Sequence, residues 1–260
     1  MATELPYNPY NILINDEQLS ELLKEYSVGP HKNINLYRLA FVNKSYCTRK
    51  NENFVDGNVN CPEDCLPLQE ESNERLEFLG DAILNITVAD YLFERYPKEN
   101  EGFLTRMRTK LVNGKMLAHL SHKIGLQKYI LLSKQIEDNE GRRNSNILED
   151  AFEAFIAAVY LDMGFDMAKD WIINIIEYHL DFSELVKQNN NFKDMILKHF
   201  QQHHNYIPKF LEMSVENDSA KNKIYTICIQ DKNNNVISIG TGSCKKEAEN
   251  DAAQKALKQL

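Results

Sequence analysis

The hydrophobic period of this chain changes near residue 183, and that change constrains the fold more than any other feature. From Glu74 to about Phe182 apolar residues recur at helical spacing, as in GFLTRMRTKLVNGKMLAHLSHKIG, NILEDAFEAFIAAVYLDMG and DMAKDWIINIIEYHL. Nothing in that stretch alternates like a strand, and residues 16–27 and 34–46 read as further helices. Residues 183–190 (SELVKQNN) form a short polar linker. Beyond it NFKDMILKHFQQHH is helical, PKFLEMSVEN, KIYTICIQD and NVISIGTGS alternate with period two, DKNNN is a turn, and CKKEAENDAAQKALKQL closes as a helix. Two periods on the two sides of a linker predict two domains. The first is an all-α body over residues 14–182. The second is a small α+β unit, α-β-β-β-α, over residues 191–260, with one sheet covered by two helices.

The body carries an interruption at about residues 47–70, rich in Asn, Gly, Pro and charge and without a usable period. It reads as a surface loop or disordered excursion, with a partner or substrate contact as the alternative. Five cysteines (47, 61, 65, 228 and 244) are an odd, uneven set. Cys61 and Cys65 could be half of a zinc site, but no second pair follows at ligand spacing, so free thiols are expected. The N-terminus MATELPYNPY has neither a basic region nor an apolar core, and no stretch nears the ~18 apolar residues of a membrane span. The expectation is an intracellular, cytoplasmic protein with no membrane partner.

A net charge of −8 argues against a nucleic-acid partner until its distribution is read. Residues 191–260 hold ten Lys against eight Asp plus Glu, whereas the rest holds 20 basic against 30 acidic residues. A small basic unit is attached to an acidic body.

Within that body, NERLEFLGDAIL places Glu74, Glu77 and Asp81 inside a roughly 60° arc of one helix, with Leu76, Leu79, Ile83 and Ile86 opposite. A second apolar helix carries Asp150 and Glu153 at i and i+3. Clustered carboxylates raise one another's pKa unless a cation neutralises them. Mg²⁺ suits such an oxygen-only set, and it lowers the pKa of water while stabilising charge on phosphate oxygens. Spacing alone leaves two readings open, a metal site and a solvated acidic face.

The wording of these segments goes further. NERLEFLGDAIL closely resembles the signature of the ribonuclease III family, and ILEDAFEAFIAAVYLD looks like its second active-site helix. RLAFVNKSY, EGFLTRMRTKLVNGKMLA and GRRNSN are similar to its other motifs, so the resemblance runs from about residue 16 to the C-terminus. It implies that Glu77, Asp81, Asp150 and Glu153 form the catalytic, Mg²⁺-binding set, with Mn²⁺ a possible substitute, and that Asp81 and Glu153 are the most sensitive to change. Glu74 and Glu101 would support the cleavage valley, and Phe78 would make a homodimer contact. Glu149 points roughly 100° from Asp150 on the same helix and reads as a bystander. The departure from simple members of the family is the insertion.

GTGSCKKEAENDAAQKAL resembles the C-terminal motif of double-stranded RNA-binding domains. Lys245 and Lys246 fall on the first turn of a helix, where free amides and the helix dipole also favour phosphate. Such domains read A-form shape with little use of sequence. The loop that normally offers Gly-Pro and His reads Asp218-Ser219-Ala220-Lys221 here, so Lys221 would replace the imidazole contact. In the first helix the usual polar pair becomes Leu197 and Lys198, while Gln201 is retained. A larger electrostatic share and a steep salt dependence follow.

His199, His203 and His204 lack acidic or cysteine partners in register and read as solvated, and Trp171 with its neighbouring isoleucines reads as core or dimer packing. Ser133, Ser145 and Ser219 have no triad partners. With no P-loop and no dinucleotide fingerprint, no small organic cofactor is implied. The expected function is a Mg²⁺-dependent, homodimeric endoribonuclease that cuts double-stranded RNA. The resemblance implies 5′-phosphate and 3′-hydroxyl ends with short 3′ overhangs. The rivals are a protein that sequesters duplex RNA without cutting it, and a structural partner that dimerises with an active relative.

Overall fold

A computed structural model describes residues 6–48, 61–187, 192–217 and 223–260. The chain divides into two compact units, Met1–Phe182 and Ser183–Leu260. The first contains α1 (Asp16–Glu25), α2 (Ile34–Ala40), α3 (Glu74–Arg95), α4 (Glu101–Leu111), α5 (Gly114–Lys123), α6 (Lys134–Asp138), α7 (Ser145–Met163) and α8 (Phe165–His179). Its only sheet-like pairings among the described residues are two isolated bridges, Val42 with Leu131 and Cys47 with Gln69. None of the described helices is long and apolar enough to cross a membrane.

Helix α7 is central because its middle is apolar on every side but the one that bears Glu153. Every residue from Ala151 to Val159 is buried, and four alanines let α2, α3, α5 and α8 approach. Trp171 of α8 packs on Phe155 and Phe152, with ring centroids 4.9 and 5.5 Å apart, so it belongs to the core. Helix α7 stops at Gly164, whose φ of +94° lets the chain turn directly into α8. Near that end Asp162 accepts from the amides of Lys32 and Asn33 at 2.8 and 2.9 Å and from the Tyr37 hydroxyl at 3.1 Å, which fixes the start of α2.

The start of α7 is held by Arg142. Its Nε donates to both carboxylate oxygens of Glu137, at 3.0 and 2.9 Å, and its Nη1 donates to the carbonyls of Gln127 and Ile130 at 2.8 Å. Asn144 then caps α7 through the amide of Asn146.

Two expectations need correction. The helix predicted over 34–46 ends at Ala40, because Phe41 and Asn43 exchange backbone hydrogen bonds with Leu131, and Asn43 instead caps a short 3-10 turn over Lys44–Tyr46. Ile86, placed on the apolar side of α3, is exposed. The buried side there is Leu76, Gly80, Ile83, Leu84, Thr87 and Val88.

Part of the insertion, residues 49–60, lies outside the described residues. Its later part is anchored: Leu68 packs with Tyr7, Val42, Tyr46 and Leu131, and the Tyr46 hydroxyl donates to the Leu66 carbonyl at 2.7 Å. All five cysteines are free thiols.

A short helix, α9 (Phe182–Lys187), covers much of the segment read as a polar linker. Its first residue, Phe182, closes the first unit and packs its ring against Tyr91 and Arg95 of α3, which gives this turn an apolar anchor. The second unit continues with helix α10 (Phe192–His204), strands β1 (Lys209–Asn217), β2 (Lys223–Gln230) and β3 (Val236–Gly242), and α11 (Lys245–Leu257). The sheet is antiparallel in the order β1-β2-β3, with α10 and α11 packed on one side around Ile196, Phe200, Ile229, Ala252, Ala253 and Ala256. Gly240 is required here: a Cβ would stand 2.1 Å from the amide nitrogen of Ala252. The architecture is the all-α body and α-β-β-β-α unit that the two periods predict.

Candidate functional site

In the first unit α3 and α7 cross at closest approach beside a cleft of about 830 Å³. Glu74 and Glu77 reach it from α3, and Glu149, Asp150 and Glu153 from α7. The other wall is polar and mostly neutral, with Asn43, Ser45, Asn73, Asn144 and Asn146 joined by Lys44.

Glu153 is the deepest acid, only 7% exposed, and accepts no hydrogen bond among the described residues. Burial, then repulsion from Asp81, Glu149, Glu77 and Asp150, pushes its pKa up to about 8. Glu77 is raised by burial and by Asp150 and Glu74, and Asp150 by burial and by Glu149. Lys44 opposes both of these shifts. Five acids thus share a cleft in which at least four hold protons more tightly than in water.

The expected residues do not all meet there. Glu77, Asp150 and Glu153 line the cleft together, whereas Asp81 stands at its edge, exposed, with Oδ1 accepting from Asn85 Nδ2 at 2.7 Å. Glu74 is on the rim, bound by Lys44 at 3.3 Å and by the Ser72 hydroxyl at 3.0 Å. Glu101 is at the N-terminus of α4, outside the cleft lining, where it accepts from Thr105 at 2.8 Å. Phe78 is 81% exposed on α3.

Glu149, which reads as a bystander by helical angle, stands in the cleft with the other acids. It is itself raised by burial and by Glu77 and Asp81. It fits because Gly114, the first residue of α5, has no side chain: a Cβ there would be 2.2 Å from Oε2 of Glu149. The first turn of α5 has no acid of its own, and the Glu149 carboxylate lies beside its first residue. Helical angle alone missed it, because the cleft gathers a wider arc of α7 than one face.

Among the described residues no three His, Cys, Asp or Glu side chains stand close enough to hold a metal ion in these rotamers, and the turn of Asp81 toward Asn85 is one reason. The donor chemistry still suits a hard cation. The donors are all oxygen, they repel one another, and the deepest is a buried carboxylate with no hydrogen-bond donor among the described residues.

In the second unit Lys245 and Lys246 begin α11, both exposed. Lys245 is paired with Glu212 of β1 at 2.8 Å, and Lys193 of α10 with Glu249 at 2.6 Å. Lys246 has no ion-pair partner among the described residues. Gln201 is exposed on α10, and Lys221 with its loop lies outside the described residues.

Comparison with known proteins matches each unit to a family. The family profile "Ribonuclease-III-like" matches residues 33–179, more than half of the chain, and "Double-stranded RNA binding motif" matches residues 192–260. The chain is 34% identical over 252 residues to the probable ribonuclease 3 of Acanthamoeba polyphaga mimivirus, covering 96% of this chain and 46% of that one, so it spans about half of that relative's length. It is also 34% identical to ribonuclease 3 of Chlorobium chlorochromatii, with 88% of this chain and 85% of that one covered. A structure of the nuclease domain of ribonuclease III from Campylobacter jejuni, described for flexibility in a region involved in dimer formation, aligns at 34% identity and a TM-score of 0.51, covering 62% of this chain and 98% of that one. The chain belongs to the ribonuclease III family.

Proposed function

We propose that this protein is a divalent-metal-dependent endoribonuclease that hydrolyses both strands of double-stranded RNA as a homodimer. The observation that carries this reading is the buried Glu153, without a hydrogen-bond donor among the described residues and set among the acids of two crossed helices in an open cleft. Glu77, Asp150 and Glu153, with Asp81 turned from Asn85, would hold Mg²⁺, and Mn²⁺ could substitute. The ion would supply charge stabilisation on the phosphate oxygens and a more acidic water. The chain's own residues present the carboxylates, hold Glu153 away from bulk water, and offer a neutral wall of amides and a hydroxyl to the ribose–phosphate strand. The products would carry 5′-phosphate and 3′-hydroxyl ends with short 3′ overhangs, as the family resemblance implies.

Phe78, Ile86 and Phe93 are 81, 58 and 69% exposed and lie within a roughly 80° arc of α3. Their apolar area supports a two-fold contact through this helix, which would bring two clefts to one duplex. The basic end of α11 would hold duplex RNA by its backbone. Incubation of the protein and of Asp81→Asn with long duplex RNA and Mg²⁺ tests the reading, with end mapping of the products. Cleavage by the parent and none by the variant is expected. Binding without cleavage by the parent would instead mark a sequestering protein, and equal cleavage by the variant would remove Asp81 from the site.

A further inference from the structure

Lys44 is the one cation among the described residues lining the acidic cleft. Its ammonium lies 3.3 Å from Oε1 of Glu74, yet the side chain is 73% exposed and can turn to a second anion without moving its backbone. That backbone is pinned. Asn43 caps the amide of Ser45 at 3.0 Å and donates its own amide to the Leu131 carbonyl at 3.2 Å, while Ser45 Oγ accepts from the amide of Ser133 at 3.1 Å. Glu74 is steadied by Ser72 on its other oxygen. An ion pair this exposed contributes only about 0–1 kcal/mol to folding, so stability is a poor account of a lone cation at this place.

We propose that Lys44 is a substrate-binding residue, whose ammonium passes from Glu74 to a backbone phosphate of the RNA strand entering the cleft. This rests on the proposed function. An RNA strand approaching five carboxylates meets repulsion at every phosphate, and a cation at the rim gives one phosphate a partner where the strand enters. Glu74 keeps that cation at the rim. Without it the ammonium would be drawn toward Glu77 and Asp150, whose charge it already offsets, and would compete there with a metal ion. Glu74 thus acts as a positioning residue for Lys44, in keeping with its place outside the deep acid set.

The test compares the full chain with Lys44→Met and Lys44→Arg. Duplex RNA binding is followed by fluorescence anisotropy over a salt series, with Ca²⁺ replacing Mg²⁺, and kcat and KM are measured separately with Mg²⁺. Loss of one phosphate contact makes the slope of log affinity against log salt shallower by about one in Lys44→Met. KM should rise about threefold with kcat nearly unchanged, and Lys44→Arg should behave as the parent. An unchanged salt slope in Lys44→Met overturns the inference and leaves the proposed function standing. A parent that neither binds nor cuts duplex RNA overturns both.

Discussion

Gly80 of α3 lies directly against the backbone of Glu153 in α7: a Cβ on Gly80 would be 1.8 Å from the Glu153 carbonyl oxygen and 2.5 Å from its carbonyl carbon. This contact sets how closely the two acid-bearing helices cross. It also sits one turn from Glu77 and next to Asp81, so the spacing of the carboxylates depends on a missing side chain.

Gly80→Ala should therefore destabilise the protein although alanine is the better helix former by about 1 kcal/mol. The obstruction is backbone, which cannot rotate away, so α3 and α7 must separate at an overpacking cost of about 1–3 kcal/mol. Thermal unfolding should show a fall in Tm of several degrees. Cleavage should drop by more than the loss of folded protein explains, because the acid pairs move apart.

Without divalent metal, Glu153 makes stability depend on pH in a definite direction. Its folded pKa of about 8 lies above the ordinary 4.5, so the folded state binds the extra proton between those values. The favourable contribution is complete below about pH 4.5 and is lost as pH rises through about 8, at about 1.4 kcal/mol for each pH unit between the two. In EDTA, melting temperature should decline from pH 6 to pH 8, and Glu153→Gln should flatten that decline. Mg²⁺ held as proposed would take the ionised carboxylate, so it should raise the parent's Tm more at pH 8 than at pH 6. A parent and a Glu153→Gln variant with identical pH profiles would refute this.

Asp162→Ala should be among the costliest substitutions outside the cleft. It removes the acceptor for two backbone amides and a buried tyrosine hydroxyl, and loss of charged acceptors of this kind costs about 1.5–3 kcal/mol or more. Chemical denaturation should show a lower midpoint with an unchanged slope, and hydrogen exchange should speed up first at Lys32 and Asn33.

At the basic end of the second unit, Lys246 should matter more than Lys245. Lys245 must leave Glu212 before it meets phosphate, whereas Lys246 has no partner to leave among the described residues. Lys246→Met should weaken duplex binding and reduce the salt slope by about one, with Lys245→Met less severe. Glu212→Gln should tighten binding, as measured by anisotropy at two salt concentrations.

Much of this molecule was legible from residue order alone. Helical spacing in NILEDAFEAFIAAVYLD and alternation in KIYTICIQD identified the elements, and the i, i+4 and i, i+3 acids were visible on their helices before any contact was known. These properties are local, since the backbone's own period decides which side chains share a face. Tertiary structure alone decided which charges meet. It seated Glu149 over Gly114 inside the cleft, left Glu101 outside, and brought Lys44 beside Glu74 from 30 positions earlier. It also ended α2 at Ala40, because a backbone pairing of Phe41 with Leu131, 90 residues further on, outcompeted the helix. Burial and electrostatic repulsion depend on neighbours brought together by helix crossing, and no spacing within a single helix encodes them.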